Sequence, residues 1–267
     1  MVALLHVSDL HFGTELPDVV AALQRLHAEL APALVVASGD ITQRATRRQF
    51  DSADRFFRTL APRHLVILPG NHDVPLINVA LRLADPYRRW RATFGATLEP
   101  DHDDDDLLVI GVNTVRPRWH KDGAVSPAQI AAVTRRLIAS RPEQLRVVVT
   151  HQPAEVIRPG DEPDRLVRAE EALRAWIAAG VDLVLGGHIH LPYVVSLGDR
   201  YPEIGRQAWL AQAGTAVSRR TRSGIPNSVN LIRTEGAALT IERFDYDEGT
   251  QRFRSGQQHR LRLSRGD

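Results

Sequence analysis

Five apolar segments of the sequence each lead into Asp, Asn or His, and this repeated pattern constrains the fold more than any other feature. Each segment has the length of a buried strand and is closed by turn or polar residues. In a mostly parallel sheet the carboxyl ends of the strands lie along one edge, where such folds bind ligands. The segments and their following residues are Leu4 to Val7 with Asp9 and His11, Leu34 to Ala37 with Asp40, Leu65 to Leu68 with Asn71, Arg146 to Thr150 with His151, and Val181 to Leu185 with His188 and His190. The pattern predicts an α/β fold in which these distant side chains meet at one edge.

Helical patterns alternate with these strands, which is typical of a βα body. Proline favours the first helical position, so it marks two of the helix starts. The predicted helices are Pro17 to about Leu30, about Arg47 to Leu60, one that begins at Pro127, and about Asp164 to Ala179. Beyond Leu191 strand-like segments follow one another through short turns, which predicts an antiparallel addition. We expect a single domain over residues 1–254 and a polar, basic tail or arm over residues 255–267.

The segment Val74 to Asp106 is the least regular part of the sequence. Ile77 to Leu83 and Tyr87 to Phe94 have helical patterns, and Trp90 lies among arginines. That arrangement fits a cap facing a substrate, and it also fits a solvated helix with one buried aromatic ring. The acidic run that ends at Asp106 lacks the glycine and distal glutamate of an EF-hand, so we expect a charged surface turn.

Composition limits the kinds of metal site and partner. The chain has no cysteine, so any metal must be held by His, Asp, Asn and water. Its 34 basic and 32 acidic residues nearly cancel, so charge gives no reason to expect nucleic acid or a membrane as a partner. No secretory pattern opens the sequence. We therefore expect a cytoplasmic protein, with a homodimer as an open alternative to a monomer.

Seven candidate ligands are more than one metal ion needs. Asp9, His11, Asp40, Asn71, His151, His188 and His190 form this set. Two ions that share one bridging carboxylate explain the number, and such pairs clamp the attacking and leaving oxygens of a displacement at phosphorus. Mixed nitrogen and oxygen ligation favours a transition metal such as Mn, Fe or Zn over Ca or Mg.

His72 and Asp73 complete the predicted chemistry. His72 neighbours the candidate ligand Asn71 and has a pKa range suited to an acid for a phosphoester leaving group. Asp73 is expected to orient His72 or to raise its pKa. The structural alternative, in which these histidines are incidental, requires five strand ends to agree by chance.

Substrate contacts are expected from loops next to the same strand ends. Asn113 follows the strand Leu107 to Val112, and Arg219 and Arg220 lie in the loop after Ala213. The segment 218–222 could hold a phosphate backbone, which would favour a nuclease, or it could be a solvated loop.

These residues, taken together and in order, resemble a known family. Asp9-x-His11, Gly39-Asp40, Gly70-Asn71-His72-Asp73, His151 and Gly187-His188-x-His190 are similar to the signature of the calcineurin-like metallophosphoesterases. The motifs span residues 9–190. The simple opening, compact size and cysteine-free ending look most similar to the bacterial class III cyclic nucleotide phosphodiesterases.

The resemblance implies a fold and a set of roles. It implies a four-layer sandwich of two mixed β-sheets flanked by helices. It also implies that Asp9, His11 and His190 bind one metal, that Asn71, His151 and His188 bind the other, and that Asp40 bridges them. A metal-bridging hydroxide would attack phosphorus, and His72 would protonate or stabilise the departing oxygen.

The expected function is hydrolysis of a small phosphodiester, with a 3′,5′-cyclic nucleotide as the leading substrate. Three alternatives remain open at this point. They are a phosphomonoesterase or broad organophosphate hydrolase, a nuclease, and a non-catalytic scaffold that keeps the fold for protein contacts.

Overall fold

The computed structural model describes residues 2–76, 78–119, 121–222 and 224–264. Within these residues the strands are β1 Val2–Val7, β2 Leu34–Ala37, β3 Leu65–Ile67, β4 Asp101–Asp103, β5 Leu107–Gly111, β6 Leu145–Val149, β7 Leu183–Gly186, β8 Tyr193–Ser196, β9 Trp209–Gln212, β10 Ser228–Glu235, β11 Ala238–Asp247 and β12 Arg252–Arg262. The helices are α1 Pro17–Leu30, α2 Arg47–Leu60, α3 Val79–Ala84, α4 Arg88–Phe94, α5 Pro127–Ile138, α6 Ala169–Ala178 and α7 Leu197–Arg200. Short 3-10 helices cover Asn71–Asp73, Pro159–Asp164 and Pro202–Ile204.

The strands form two mixed six-stranded sheets. The first has the order β12-β11-β10-β1-β2-β3, and the second has the order β4-β5-β6-β7-β9-β8. Strands β1, β2 and β3 are parallel to one another, as are β5, β6, β7 and β9. The remaining pairings are antiparallel. The carboxyl ends of the parallel strands therefore lie at one edge of each sheet.

Alternating side chains along the strands divide the core into three apolar layers. Leu5 and Val7 of β1 pack with helices α1 and α2, whereas Leu4 packs between the two sheets. Helices α5 and α6 cover the outer face of the second sheet, where Trp176 is buried. Since successive residues of a strand point to opposite faces, each sheet has one face toward helices and one toward the other sheet. This confirms the expected four-layer sandwich of two mixed β-sheets flanked by helices.

Local sequence signals account for the helix starts. Pro17 and Pro127 occupy the first helical turns of α1 and α5, as predicted. Thr46 begins α2 with a capping box to Gln49, which satisfies two backbone donors that have no partner within the helix. Helix α6 begins at Ala169, later than predicted, because a 3-10 helix and a left-handed Arg168 precede it.

Three predictions about the less regular segments were wrong at least in part. Strand β9 pairs parallel with β7 and belongs to the βα body, whereas β10, β11 and β12 form the expected antiparallel addition. Within the acidic run, Asp101–Asp103 forms the edge strand β4, and only residues 104–106 form an exposed turn. Residues 255–262 continue β12 and pair with β11, so the tail or arm expected from residue 255 is part of the sheet. The single-domain organisation and the homodimer stay predictions.

The irregular segment 74–106 packs mainly through its aromatic residues. Trp90 is buried and meets Phe50 and Phe94 edge-on, which favours the structural interpretation of this helix. Ile77, at the start of one predicted helix, lies outside the described residues, and α3 follows from Val79. No helix within the described ranges has the length and apolar character needed to cross a membrane.

Candidate metal centre

The seven predicted ligands follow the carboxyl ends of five parallel strands. Strands β1, β2 and β3 of the first sheet and β6 and β7 of the second end next to one another, so the loops that leave them meet. We call these seven residues the strand-end cluster: Asp9, His11, Asp40, Asn71, His151, His188 and His190. The structure thus brings together residues that are up to 181 positions apart in the sequence.

The backbone of the cluster is set in an unusual conformation. Five of its residues have left-handed φ angles, namely Asp9 at 54°, His11 at 46°, Asp40 at 50°, His188 at 74° and His190 at 57°. Such conformations are costly for residues other than glycine and concentrate at functional sites. Gly39 has a φ of 110°, and a Cβ there would lie 2.4 Å from His151 Nδ1. Glycine at that position allows β2 and the loop after β6 to approach closely.

One group of ligand atoms comes from the loops after β1 and β7. His11 Nε2 lies 3.1 Å from His190 Nε2. Asp9 Oδ1 lies 3.2 Å from His190 Nε2 and 3.7 Å from His11 Nε2. The other oxygen of Asp9 accepts a hydrogen bond from the backbone N–H of His188 at 2.9 Å, which directs Oδ1 toward the histidines.

A second group surrounds His151. Its Nε2 lies 3.3 Å from Asp40 Oδ1 and 3.2 Å from Asn71 Oδ1. Ligand atoms of Asp40, His151 and His188 all lie within 4.8 Å of one another. Asp40 Oδ2 lies 3.7 Å from His11 Nε2, in the first group. The two oxygens of Asp40 therefore face different groups.

This arrangement fits two divalent metal ions. Ligand atoms about 2.0 to 2.2 Å from one ion lie roughly 3.0 to 3.5 Å from each other, and several pairs in the cluster have this spacing. Asp9 Oδ1 is buried and has no hydrogen-bond donor within the described residues. A buried carboxylate oxygen without a donor is costly, and a cation would satisfy it. The donor set, imidazole nitrogen with carboxylate and amide oxygen, suits a transition metal.

The charges of the cluster depend on one another. Burial opposes ionisation of Asp40 and Asp9, but the nearby imidazoles outweigh it and hold the pKa of each carboxyl well below its usual range. Burial likewise opposes the charged form of His151, yet the Asp40 carboxylate raises the pKa of His151 to about 9. The buried carboxylates therefore attract positive charge strongly.

Backbone carbonyl groups orient two of the histidines. His151 donates Nδ1–H to the carbonyl oxygen of Ser38 at 2.9 Å, and His190 donates Nδ1–H to that of Arg220. Both rings therefore present Nε2 to the cluster. Such outer partners fix the ring tautomer of a metal-binding histidine.

His72 lies beside the cluster and faces the cleft in front of it. Its Nδ1–H donates to the carbonyl oxygen of Gln43 at 2.8 Å. Its Nε2 lies 3.2 Å from an Arg220 guanidinium nitrogen and 4.0 Å from Asp40 Oδ2. The ring is partly exposed, so Nε2 can reach a molecule bound in the cleft.

The cleft has a volume of about 720 Å³ and a second side that is made of loops. We call this side the loop wall: Lys121, Asp161, Asp164, Thr221 and Arg222. Lys121 Nζ lies 2.7 Å from Asp164 Oδ1, and an Arg222 nitrogen lies 2.6 Å from Asp161 Oδ1. Arg222 also donates to the carbonyl oxygen of Ile189 at 3.1 Å, which ties this loop to the segment between His188 and His190.

The structure contradicts the expectation that Asp73 orients the ring of His72. Its carboxylate accepts hydrogen bonds from the backbone N–H groups of Gly70, Ile41 and Thr42, at 2.9, 3.0 and 2.7 Å. Since His72 donates Nδ1–H to Gln43 instead, Asp73 does not orient its ring. Burial and the Asp40 carboxylate raise the pKa of Asp73 to about 7. Asp73 joins the loops after β2 and β3 and does not face the cleft.

Of the three residues predicted to contact substrate, only Arg220 lines the cleft. Asn113 is buried and donates to the Tyr87 hydroxyl, so it serves the packing behind the site. Arg219 is exposed, and its backbone N–H donates to the Thr14 carbonyl oxygen, while its side chain does not line the cleft. The side chains of Arg219 and Arg220 point in different directions, and the sequence alone does not show which of them faces the cleft.

Sequence reasoning missed most of the loop wall. Asp161 and Asp164 lie on the 3-10 helix Pro159–Asp164, where no apolar periodicity marks a strand end. Lys121 is the only lysine of the chain, which was a weak signal in a sequence that otherwise uses arginine. Arg222 closes the segment 218–222 that was considered for phosphate binding, but it was not among the residues predicted to contact substrate.

A family model for calcineurin-like phosphoesterases matches residues 2–192, more than half of the 267-residue chain. The chain belongs to the calcineurin-like phosphoesterase family. The matched residues include all five strand ends of the cluster. The narrower resemblance to bacterial class III cyclic nucleotide phosphodiesterases stays a prediction. Comparison with curated protein sequences gives no significant match.

Solved structures share the fold at low sequence identity. A purple acid phosphatase from yellow lupin (Lupinus luteus) seeds matches with a TM-score of 0.69 and 10% identity, over 98% of this chain and 53% of its own. This chain thus spans about half the length of that phosphatase. A dimetal phosphatase from Danio rerio matches with a TM-score of 0.64 and 12% identity, over 98% and 99% of the two chains. Vps29 from Cryptosporidium parvum matches with a TM-score of 0.53 and 12% identity, over 98% of each chain. These likenesses show the fold alone.

Proposed function

We propose that the protein is a metal-dependent phosphodiesterase that hydrolyses a small phosphodiester, with a 3′,5′-cyclic nucleotide as the first substrate to test. The observation that carries this proposal is the position of Asp40. One of its oxygens faces His151 and the other faces His11, as a carboxylate shared by two metal ions would. Membership of the calcineurin-like phosphoesterase family supports the same chemistry.

We assign Asp9, His11 and His190 to one ion and Asn71, His151 and His188 to the other. Two divalent transition-metal ions, of Mn, Fe or Zn, would polarise the phosphoryl oxygens and lower the pKa of water, as two-metal sites do in phosphoester hydrolysis. The left-handed backbone and the amide donors to Asp9 and Asp40 hold the ligand atoms in place in advance. Preorganisation of this kind reduces the reorganisation that accompanies the reaction.

His72 and Arg220 act on the ester. His72 Nδ1–H donates to Gln43 and Nε2 accepts from Arg220, so the proton for a departing oxygen would be a second proton taken up on Nε2, which faces the cleft. Proton transfer from a placed side chain contributes about 10² to 10⁴ in rate. Arg220 presents its guanidinium beside that nitrogen and can bind a phosphoryl oxygen.

The size of the cleft allows a diester to bind. Its volume of about 720 Å³ extends from the strand-end cluster to the loop wall, and this leaves room for a second ester group beyond the phosphoryl group. A monoesterase or broad organophosphate hydrolase is the second candidate, because two structural neighbours are named phosphatases. Neither Arg220 nor Arg222 extends outward toward a nucleic-acid backbone, since both bond within the cleft.

The deciding experiment is an activity panel after reconstitution with Mn, Fe or Zn. It compares cyclic nucleotides, bis(4-nitrophenyl) phosphate and 4-nitrophenyl phosphate by kcat/KM. We expect the diesters to be preferred. A strong preference for the monoester would replace the proposal with its alternative, and no turnover with any metal would favour the scaffold reading.

A further inference from the structure

Asp164 lies next to the strand-end cluster but on a segment that contributes none of its members. It closes the 3-10 helix Pro159–Asp164. Its Oδ1 lies 3.8 Å from His188 Nε2 and 2.7 Å from Lys121 Nζ. One carboxylate oxygen thus faces both a candidate metal ligand and the only lysine of the chain.

The ring of His188 is turned the opposite way from those of His151 and His190. In those two residues Nδ1 faces a backbone carbonyl group and Nε2 faces the cluster. In His188 it is Nε2 that faces an outer partner, the Asp164 carboxylate, at 3.8 Å, which is an electrostatic contact and not a hydrogen bond. Its Nδ1 is buried and has no hydrogen-bond partner within the residues that the structure describes.

One nitrogen of His188 lies within 4.8 Å of ligand atoms of Asp40 and His151. Since Nε2 is turned toward Asp164, Nδ1 is the nitrogen left to bind an ion in that group. A neutral imidazole carries one proton, so a proton on Nε2 leaves the lone pair of Nδ1 free.

We propose that Asp164 is a positioning residue for His188: the negative charge of its carboxylate beside Nε2 favours the proton on that nitrogen, so that Nδ1 binds the ion shared with Asp40 and His151. This inference rests on the proposed metal centre. A carboxylate behind a metal-binding histidine fixes the tautomer and makes the ring a better ligand. Asp164 would do for His188 what the Ser38 and Arg220 carbonyl groups do for His151 and His190.

Lys121 has a lesser part in this arrangement. Its side chain is half exposed, and exposed ion pairs contribute about 0 to 1 kcal/mol. Lys121 therefore steadies Asp164 without being needed for the contact between Asp164 and His188.

Metal binding to the purified 267-residue chain tests the proposal without an activity assay. Equilibrium dialysis with Zn²⁺ gives the number of ions per chain and the affinity of each. We expect Asp164→Asn to lower the affinity of the protein for one of the two ions by about 10- to 100-fold, which is the usual effect of losing a residue that orients a metal ligand. Lys121→Met should change that affinity by less than about fivefold. Asp164→Glu should restore part of the loss.

Glu162→Gln is the matched control, because Glu162 lies on the same turn, is exposed and pairs with Arg165 away from the cleft. The proposal is overturned if Asp164→Asn binds both ions as tightly as Glu162→Gln does. A wild-type chain that binds fewer than two ions would instead count against the proposed function.

Ring-nitrogen NMR of the wild-type protein loaded with Zn²⁺ provides a test that needs no variant. We expect His188 to coordinate through Nδ1 with its proton on Nε2, and His151 and His190 to show the reverse. Coordination of His188 through Nε2 would overturn the proposal.

Discussion

The strand-end cluster and the loop wall face each other across the cleft, but different forces hold them in place. Asp9, His11 and His151 are buried, and they follow central strands that pair with a neighbouring strand on each side. The loop wall lies on a 3-10 helix and two loops, and its contacts are ion pairs such as that of Lys121 with Asp164. Lys121 is half exposed, so this pair is weakly held.

This difference suggests that the strand-end cluster carries the metal chemistry and that the loop wall carries substrate recognition. Ligand atoms must stay within a few tenths of an ångström of their positions to hold a metal, and buried strand ends provide that rigidity. Loops tolerate change in sequence and position, so they are where substrate choice can vary on a constant scaffold. Substitutions in the cluster should therefore abolish turnover, and substitutions at its margins should have graded effects.

The largest effect is expected for Asp40→Ala. It removes a carboxylate that faces both ligand groups, so we expect the loss of at least one ion. We also expect kcat to fall by more than the roughly 10²- to 10⁴-fold that losing a general acid would cause. Metal analysis and turnover of bis(4-nitrophenyl) phosphate check this. Asp51→Ala, on the exposed face of α2, is the control. If Asp40→Ala still binds two ions, the strand-end cluster is not more sensitive to substitution than the loop wall, and the contrast between them fails.

The next effect is that of His72→Ala. We expect kcat to fall by about 10² to 10⁴ because the proton donor at Nε2 is lost, while the number of bound ions is unchanged. His102→Ala, on β4 outside the cleft, should behave as wild type. Unchanged turnover of His72→Ala would remove this residue from the mechanism.

Arg220→Gln should have a smaller effect. Losing a charged hydrogen bond to a phosphoryl oxygen costs about 1.5 to 3 kcal/mol, so kcat/KM should fall by roughly 10- to 150-fold. Arg219→Gln provides the matched control, since the adjacent arginine is exposed and does not line the cleft. Equal effects of the two substitutions would show that the loop adopts another arrangement with substrate bound.

The smallest effect on turnover is expected for Asp73→Asn, which should reduce stability instead. The NH₂ group of asparagine would face backbone N–H groups that now donate hydrogen bonds to the carboxylate. Losing such bonds should lower the free energy of unfolding by about 1 to 3 kcal/mol. For a chain of this size the melting temperature should fall by roughly 3 to 10 °C. Calorimetry checks this, with Asp54→Asn on α2 as the control. A loss of kcat at low temperature without a change in melting temperature would contradict the structural role.

The same division explains what the sequence could predict. Residues such as Asp9 and His188 follow apolar runs whose direction is dictated by a parallel sheet, so their convergence follows from strand polarity alone. The starts of α1 and α5 also follow from local patterning, because each is marked by a proline. The two mixed sheets, in contrast, were expected only from the family resemblance.

What failed depends on contacts that no local pattern encodes. Asp73 follows His72 directly, but its side chain turns back to the loop after β2. Asn113 comes from a strand end of the correct kind, yet it packs against Tyr87 behind the site. The approach of Lys121 to Asp164, 43 residues away, is decided by tertiary packing.

The left-handed backbone of the strand-end cluster has a consequence for evolution and engineering. Each such residue carries a cost of about 1 to 3 kcal/mol that glycine would largely avoid. Replacing Asp40 or His190 by glycine should thus relieve strain and abolish the site in one step. A screen that rewards heat resistance alone would enrich for inactive proteins here, and only selection for turnover keeps these side chains in place.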